Sequence, residues 1–438
     1  MNKAREAGML PAVEAASAKQ PTEKETRMLP KAWRYSTLGE IARVTSGGTP
    51  DRSNPEYWGG DIPWVTTGEI QFNKITDTVE KITASGLQNS SAKLFPPGTL
   101  LMAMYGQGKT RGQVAKLGIE AATNQACAAI LLHDNYDPDF YFQYLSSQYD
   151  GLRELGNAGT QKNLNAGILK GVAVPVPPYN EQRRISSILS TWDQAITTAE
   201  RLLANSQRRT RDLMAMLLSG RRRFPGMPNK WHYVDFDSYF QRITRKNSTQ
   251  NTNVLTISAE HGLISQRDYF NKSVASENLT GYTLLHKFDF AYNKSYSAGY
   301  PMGAIKPLLA YEAGVVSSLY LCFRLREDVD ADFDFFRYYF EAGLLNEEIK
   351  GIAQEGARNH GLLNVSVTDF FKLQLYVPSA PEQRRIAEVM NVAKAQEQSF
   401  KAQLQCLRHE KAALMSQLLT GKRRVKLPEI KAETELHA

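Results

Sequence analysis

The sequence has few cysteines and no apolar run of membrane length. Its three cysteines lie far apart and are odd in number, which argues against a disulfide framework or a zinc site and suits a reducing cytoplasm. The seven histidines are also scattered, without a pair at metal-ligand spacing. The longest apolar run, residues 126–132, is too short to cross a bilayer, and residues 1–28 lack the apolar region of a signal peptide. We therefore expect a cytoplasmic protein with no metal, no cofactor and no membrane contact.

Catalytic motifs are also incomplete. Gly108-Lys109-Thr110 ends like a phosphate-binding loop, but Ala103 occupies the first glycine position and no helix clearly follows. Residues 176–179, V-P-P-Y, lack the Asn or Asp of the amino-methyltransferase motif, and residues 348–350, E-I-K, form too common a tripeptide to indicate a nuclease. We therefore expect that the chain is not an enzyme.

Length and charge narrow the class of protein. A chain of 438 residues predicts two to four domains. The formal net charge of +8 favours a polyanionic partner, although a mild basic excess also occurs in proteins that bind none.

An internal repeat is the most informative feature that is present. The pentapeptide E-Q-R-R-I occurs at residues 181–185 and 382–386, and the same offset holds up to Arg223 and Arg424. In each copy, apolar residues recur at alternating spacings of four and three, which is the a/d pattern of a coiled coil. The first seam is Ile185, Leu189, Trp192, Ile196, Ala199, Leu203, Ser206, Thr210, Leu213 and Leu217. The second is Ile386, Met390, Ala393, Glu397, Phe400, Leu404, Leu407, Lys411, Leu414 and Leu418.

Each copy predicts one long helix, over residues 181–219 and 382–420. Ser379-Ala380-Pro381-Glu382 has the spacing of a capping box, and Gly220 and Gly421 stand where a C-terminal cap belongs. The basic triplets at 221–223 and 422–424 could contact phosphates or complement a helix C-terminus. A helix with such a stripe could dock onto a globular core instead, but two copies in matching register favour pairing with each other.

Two globular segments of similar size accompany the helices. The first entrance, L-P-K-A-W at residues 29–33, resembles M-P-N-K-W at residues 227–231, and both segments end in valine-proline stretches. The middles diverge almost completely. Short apolar runs at residues 99–105, 126–132, 288–292 and 314–323 predict strands, and residues 138–156 and 333–351 predict helices. We therefore predict a mixed α/β fold in both segments.

This arrangement resembles the specificity subunits of type I restriction-modification enzymes over nearly the whole chain. The resemblance rests on the alternation of globular segments with E-Q-R-R-I helices, on Ser46-Gly47-Gly48-Thr49-Pro50, and on the G-T-Q-K-x-L-N exit at residues 159–165. The second segment departs from the pattern because it lacks the S-G-G-T-P loop and the T-Q-K tripeptide.

The resemblance implies two target recognition domains, each reading half of a split DNA site. It also implies that the two helices form an antiparallel coiled coil and that the chain carries an internal pseudo-two-fold repeat. The implied divisions are an N-terminal extension (1–28), the two domains (29–176 and 227–377), the two helices (177–223 and 378–425) and a tail (426–438). The expected partners are double-stranded DNA, two methyltransferase subunits and, through the complex, restriction subunits.

Candidate DNA-contacting residues are cations, amides and one aromatic in exposed loops, because duplex recognition needs cations for phosphates and planar polar groups for base edges. The first segment offers Gln107, Lys109, Thr110 and Arg111 in a glycine-rich turn, with Lys162 and Asn163 at its exit. The second segment offers Arg242 and Arg245 near its entrance, Asn293, Lys294 and Tyr296 in the corresponding place, and Arg358 and Asn359 at its exit. Each could equally be an ordinary solvated loop residue.

The arginines of the repeated pentapeptide are candidates for partner binding. Because Ile185 and Ile386 define the seam, we expect Arg183, Arg184, Arg384 and Arg385 to face outward and contact the methyltransferase subunits; alternatively, they only solvate the first helical turn. A coiled-coil scaffold whose globular ends bind protein or RNA remains the alternative function. The two functions can be distinguished by experiment: binding to duplex DNA should weaken steeply with salt and depend on base sequence, whereas a protein scaffold should show neither property.

Overall fold

The computed structural model describes residues 29–106, 108–155, 163–258, 262–270, 278–296, 299–355 and 363–426. The chain divides into two units: unit 1 holds the residues up to Glu200 and those from Ala402 onward, and unit 2 is Arg201–Lys401. Each unit therefore contains one globular segment and a part of each long helix. The predicted extension at 1–28, and all of the predicted tail except Lys426, lie outside the described residues.

The globular part of unit 1 is a mixture of short strands and short helices. Its strands are β1 (Arg34–Thr37), β2 (Ala42–Ser46), β3 (Trp58–Val65), β4 (Lys74–Ile75), β5 (Glu80–Ile82), β6 (Leu100–Ala103), β7 (Val114–Leu117), β8 (Ala122–Thr123), β9 (Cys127–Leu132) and β10 (Ala173–Val176). Its short helices are α1 (Leu38–Ile41), α2 (Ala84–Gln88), α3 (Pro138–Ser147), α4 (Tyr149–Glu154) and α5 (Ala166–Lys170), with 3-10 turns at Pro55–Tyr57 and Thr67–Glu69. The long helix α6 (Tyr179–Leu217) follows.

The central sheet of unit 1 has the order β2-β9-β6-β7-β4 and is buried on both faces. Along β6, Leu100 and Met102 face the core that contains α3, whereas Leu101 and Ala103 face a second core. Side chains of a strand alternate between the two faces, so a strand covered on both sides reads as a continuous apolar run. A three-stranded sheet, β5-β3-β8, and the pair β1-β10 complete the unit.

The globular part of unit 2 is also mixed. Its strands are β11 (His232–Asp235), β12 (Phe240–Arg242), β13 (Leu255–Ser258), β14 (Gly262–Ser265), β15 (Thr283–His286), β16 (Phe290–Asn293), β17 (Ala304–Pro307), β18 (Ala313–Val316), β19 (Leu321–Leu325), β20 (Gln354–Glu355), β21 (Leu363–Asn364) and β22 (Gln374–Val377). Its helices are α7 (Phe236–Tyr239), α8 (Gln266–Phe270), α9 (Phe333–Glu341), α10 (Asn346–Ile352) and α11 (Val367–Phe370), followed by the long α12 (Ala380–Leu418).

The two units share a strand order that their sequences conceal. The sheet of unit 2 runs β12-β19-β16-β17, which repeats the order β2-β9-β6-β7 of unit 1. The entrance and exit strands also pair in both units, with Arg34 opposite Val176 and His232 opposite Val377. The predicted mixed fold with an internal repeat is therefore confirmed, and the repeat extends into the divergent middles.

Three element predictions need correction. The run at residues 314–323 is not one strand but parts of β18 and β19, separated by a turn in which Tyr320 N–H donates to Ser317 O at 3.0 Å. The helical stretch at 333–351 is broken into α9 and α10 at Gly343, whose φ of 71° ends the first helix. The stretch at 138–156 is likewise divided, into α3 and α4, which meet at Gln148.

The long helices follow the predicted seam. Its positions in both copies are buried or half-buried, and each helix begins and ends two residues before the predicted bounds. Gly220 and Gly421 adopt φ values of 71° and 74°, the left-handed conformation of a C-terminal cap. Within the described ranges, no helix combines the length and apolarity needed to cross a bilayer.

The two helices run antiparallel. In unit 1, Asp193 pairs with Lys411 at 2.6 Å and Glu200 pairs with Arg408 at 2.6 Å, so partner numbers fall as residue numbers rise. In unit 2, Met214 and Leu217 of α6 share a core with Ile386 and Met390 of α12.

Candidate nucleic-acid interface

The glycine-rich segment of unit 1 forms the turn of the β6-β7 hairpin. Gly106, Gly108 and Gly112 all have positive φ, between 84° and 131°, which only glycine adopts readily. Lys109 is exposed on this turn, whereas Thr110 is half-buried. Gln107 lies outside the described residues. The turn therefore presents at least one exposed cation at the end of the central sheet.

Helix α4 fixes this turn. The Tyr149 hydroxyl donates to Lys109 O, and Arg153 Nη1 donates to the Tyr149 hydroxyl at 2.5 Å. The half-buried Arg111 donates from Nη2 to Arg153 O at 3.4 Å. Arg111 thus contributes to the shape of the turn. Sequence reasoning missed Tyr149 and Arg153, because nothing local indicates which distant turn a helix will contact.

The exit loop of unit 1 lies against the base of the same turn. Leu164 is buried and its N–H donates to Met104 O at 3.0 Å. The preceding residue, Asn163, is half-buried, and Lys162 lies outside the described residues. The structure therefore brings together two candidate regions that are separated by more than fifty residues in the sequence.

Unit 2 repeats this arrangement with different residues. Asn293 ends β16, and its Oδ1 accepts a hydrogen bond from Ser295 N at 3.1 Å. The N–H of Leu363, in the exit segment, donates to Lys294 O at 2.9 Å. Tyr296 is 64% exposed on the turn. Arg358 and Asn359 lie outside the described residues.

Two candidates of unit 2 are not at this turn. Arg242 is exposed and lies opposite Phe323, which pairs with Phe290 at the far end of β16 from Asn293. Arg245 donates to the carboxylate of the buried Asp289, next to that same end. Burial raises the pKa of Asp289, while the hydrogen bond from His286 N–H and the positive charges of Arg245 and Arg324 lower it. Arg245 thus neutralises a buried charge, and neither arginine groups with Asn293.

The repeated pentapeptide separates into buried and exposed positions. Arg183, Arg184, Arg384 and Arg385 are exposed, with Arg384 paired to Asp330 at 2.7 Å and Arg385 to Glu388 at 2.8 Å. Ile185 and Ile386 are buried in the cores. Both glutamates and both glutamines are also almost completely buried, which the sequence reading did not anticipate.

Each buried glutamate holds the last arginine of a basic triplet. Arg424 donates from Nε and Nη2 to Glu181 at 2.5 and 2.8 Å, and Trp33 Nε1 adds a third donor at 3.0 Å; we call these three residues the first clasp. In unit 2, Arg223 donates to both carboxylate oxygens of Glu382 at 3.0 and 2.7 Å, which raises the pKa of Arg223. The carboxylate of Glu382 is therefore bound to Arg223, and its helix α12 begins at Ala380, directly after Ser379.

Each buried glutamine joins its long helix to the globular part. The side chain of Gln182 accepts from Asp137 N at 2.8 Å and donates to Pro177 O at 2.8 Å. Gln383 makes the same two contacts with Asp332 N and Pro378 O, at 2.9 and 3.0 Å. Asp137 and Asp332 are the N-caps of α3 and α9. The conserved spacing of the two repeats thus places equivalent contacts in both units.

Comparisons with known proteins agree with this geometry. Residues 30–205 match the family model "Type I restriction modification DNA specificity domain". The match covers the globular part of unit 1 and part of helix α6. The family resemblance inferred from the sequence is thereby confirmed.

Several specificity subunits are similar to this chain over part of its length. The MjaIX specificity subunit of Methanocaldococcus jannaschii is 28% identical over 40% of this chain and 41% of its own length. The EcoR124I/EcoR124II specificity subunit of Escherichia coli is 27% identical over 36% of this chain and 40% of its own length. The matches thus span about two fifths of the length of these relatives.

Solved structures show the same fold over nearly the whole chain. The S subunit of a type I system from M. genitalium has a TM-score of 0.54 and 15% identity, and the match covers 92% of this chain and 98% of that one. A chain from a structure of type I system assembly and conformational transition has a TM-score of 0.54 and 16% identity, over 90% and 99% of the two chains.

In unit 1, the S-G-G-T-P loop has a packing role. A Cβ on Gly47 would lie 2.0 Å from Thr123 O, and one on Gly48 would lie 2.3 Å from the Ser91 carbonyl carbon. Trp64 Nε1 donates to Gly48 O at 3.0 Å. Only glycine fits where these backbones approach, so packing explains the two glycines of the motif.

The motifs considered for catalysis occupy other kinds of structure. Lys109 lies between two strands, not before a helix, and residues 348–350 lie within α10. Among the described residues, no group of three or more His, Cys, Asp or Glu side chains could hold a metal ion. Burial raises the pKa of the Cys127 and Cys322 thiols to about 12, which leaves them protonated and unreactive near neutral pH.

Proposed function

We propose that the chain is a non-catalytic DNA-recognition subunit that reads a bipartite target in the cytoplasm for a type I restriction-modification complex. The observation that carries the proposal is the repeated pairing of a hairpin turn with an exit loop. Met104 and Leu164 make this contact in unit 1, and Lys294 and Leu363 make it in unit 2. One scaffold thus presents two equivalent surfaces whose side chains differ, as two unlike half-sites require.

The proposed division of labour follows the repeats. Residues 29–176 read one half-site, residues 227–377 read the other, and the helices at 177–223 and 378–425 set their spacing. Lys109 contacts DNA from the first turn, and Gln107, Lys162 and Asn163 are further candidates for contact with the same half-site. Asn293, Lys294 and Tyr296 act from the second turn, with Arg358 and Asn359. Arg242 and Arg245 contribute less to DNA binding, because they lie near the end of β16 that is opposite to Asn293.

The proposed partners are two methyltransferase subunits, with restriction subunits joining through the complex. The four exposed arginines of the pentapeptides occupy equivalent places in the two units, so they offer two similar docking sites. Similarity to specificity subunits favours this function over a scaffold that binds protein or RNA.

A domain exchange tests the proposal. Residues 33–176 are replaced by the corresponding segment of another specificity subunit, and methylated motifs are read by sequencing host DNA. We expect one half-site to change, while the other half-site and the spacer stay the same. A change in both half-sites, or in neither, would contradict the assignment. In parallel, binding that does not weaken with salt would favour the protein scaffold.

A further inference from the structure

A second loop of unit 1 lies beside the hairpin turn. Residues 71–73 lie between the 3-10 turn Thr67–Glu69 and β4, and they are exposed together with Lys74, the first residue of β4. Strand β4 pairs in parallel with β7, with Lys74 opposite Lys116. Because β7 starts directly after the hairpin turn, parallel pairing places residues 71–73 at the same end of the sheet as that turn. We call residues 71–74 the edge loop.

The edge loop exposes an aromatic ring in an unfavourable backbone conformation. Phe72 has a φ of 56°, in the left-handed region that bulky residues avoid, and it remains 39% exposed. The Phe72 ring packs edge-on against Tyr149, with ring centroids 5.2 Å apart and planes at 86°. Tyr149 is the residue whose hydroxyl fixes Lys109 in the hairpin turn. Tyr149 therefore contacts both the Phe72 ring and the backbone of Lys109.

Hydrogen bonds hold the backbone of the edge loop. Gln71 N–H donates to Asn73 Oδ1 at 2.8 Å, and Gln71 Nε2 donates to Gly68 O at 2.6 Å. Lys116 N–H donates to Asn73 O at 3.0 Å. A glycine or asparagine at position 72 would satisfy the same backbone without strain. The backbone therefore gives no reason for a phenylalanine at position 72, so the reason lies in its ring, which contacts Tyr149 with its edge and leaves a face exposed.

We propose that Phe72 is a specificity-determining residue, whose ring contacts the bases of the half-site read by the first turn. The inference rests on the proposed function and extends it to a loop that no sequence motif marks. An exposed ring beside an exposed lysine suits DNA, because apolar side chains contact base edges or steps while cations contact phosphates. The simpler reading, a ring that only stabilises the turn through Tyr149, is an outcome of the test.

The test uses the full chain in complex with its modification subunits. The probes are a duplex that carries the methylated motif of the wild-type complex, and two duplexes in which one or the other half-site is scrambled. The central variant is Phe72→Asn, since asparagine tolerates the left-handed backbone. Phe72→Tyr keeps the ring. Val79→Ala is the matched control, because Val79 is an apolar side chain of the same domain that is 90% exposed.

We expect Phe72→Asn to weaken binding to the intact motif by about 5- to 100-fold, the usual range for a base-reading contact. Discrimination against the scrambled first half-site should fall by the same factor, and discrimination at the second should not change. Phe72→Tyr should restore most of the affinity, and Val79→Ala should have no effect. Thermal unfolding of Phe72→Asn should match the wild type or exceed it, because the strain is relieved.

Two results would overturn the inference alone. One is unchanged affinity of Phe72→Asn for a motif that the wild-type complex reads. The other is an equal loss on all three duplexes, or a large loss of thermal stability, which would leave Phe72 with a structural role. A wild-type complex that prefers no sequence would overturn the inference together with the proposed function.

Discussion

The contribution of the repeated glutamate to stability can be measured at the first clasp. Glu181 is 1% exposed, and its carboxylate receives two hydrogen bonds from Arg424 and one from Trp33. The substitution Arg424→Met keeps an unbranched side chain and removes both guanidinium hydrogen bonds to Glu181, together with the one to Lys31 O at 3.2 Å. The buried carboxylate then retains only the indole donor. We therefore expect a loss of stability in unit 1.

The size of the loss follows from the burial of the two partners. Removing one member of a fully buried ion pair costs about 3–5 kcal/mol, because the remaining charge is uncompensated. The Arg424 side chain is 46% exposed, so water can enter where its guanidinium was. We therefore expect a decrease of about 2–3 kcal/mol in the free energy of unfolding. For a unit of this size, that corresponds to a transition about 4–12 °C lower.

Calorimetry of the full chain measures the effect, and two variants interpret it. Arg423→Met is the matched control, because Arg423 is the exposed neighbour of Arg424. The double variant Glu181→Gln with Arg424→Met removes the buried charge as well, and should recover more than half of the loss. Equal shifts for the Arg423 and Arg424 variants, or a double variant no better than Arg424→Met, would refute a buried ion pair as the source of the stability.

Three further predictions concern the rest of the chain. Inserting one heptad at matched positions of α6 and α12 adds about 10 Å of helix and should lengthen the spacer of the methylated motif by about three base pairs, leaving both half-sites intact. An unchanged spacer in the sequenced motifs would mean that the helices do not set the distance between the half-sites. Reversing the charge of the four pentapeptide arginines should reduce co-purification with the modification subunits while circular dichroism stays unchanged, and undiminished co-purification would mean that these arginines only solvate the helix. At pH 8, a thiol reagent should react with one cysteine of the native protein, Cys406, and with three of the denatured protein, because burial raises the pKa of Cys127 and Cys322 to about 12. Rapid reaction of a second thiol in the native state would contradict their burial.

The candidate site could be predicted only in part from the sequence. Glycines and exposed polar residues marked the turns at Lys109 and Asn293, because turn chemistry is local. The sequence also placed Arg242 and Arg245 among the candidates, since cations near an entrance looked equivalent to cations on a turn. The structure separates them, because strand pairing sets which end of the sheet each residue reaches. Phe72 had no sequence signal, since its significance comes from a parallel strand pair and from Tyr149.

The sequence by itself determined the repeat, the seam of the two long helices and their glycine caps. These features depend on periodicity and on backbone preferences within a few residues, which a sequence displays directly. Only the tertiary structure decided that Glu181 and Glu382 are buried, that each turn meets its exit loop, and that both sheets share one strand order. The pairs Arg424–Glu181 and Arg223–Glu382 each join residues more than one hundred positions apart. The central strands β6, β9 and β16 are mostly buried on both faces, so their sequences are apolar runs from which no pairing order can be deduced.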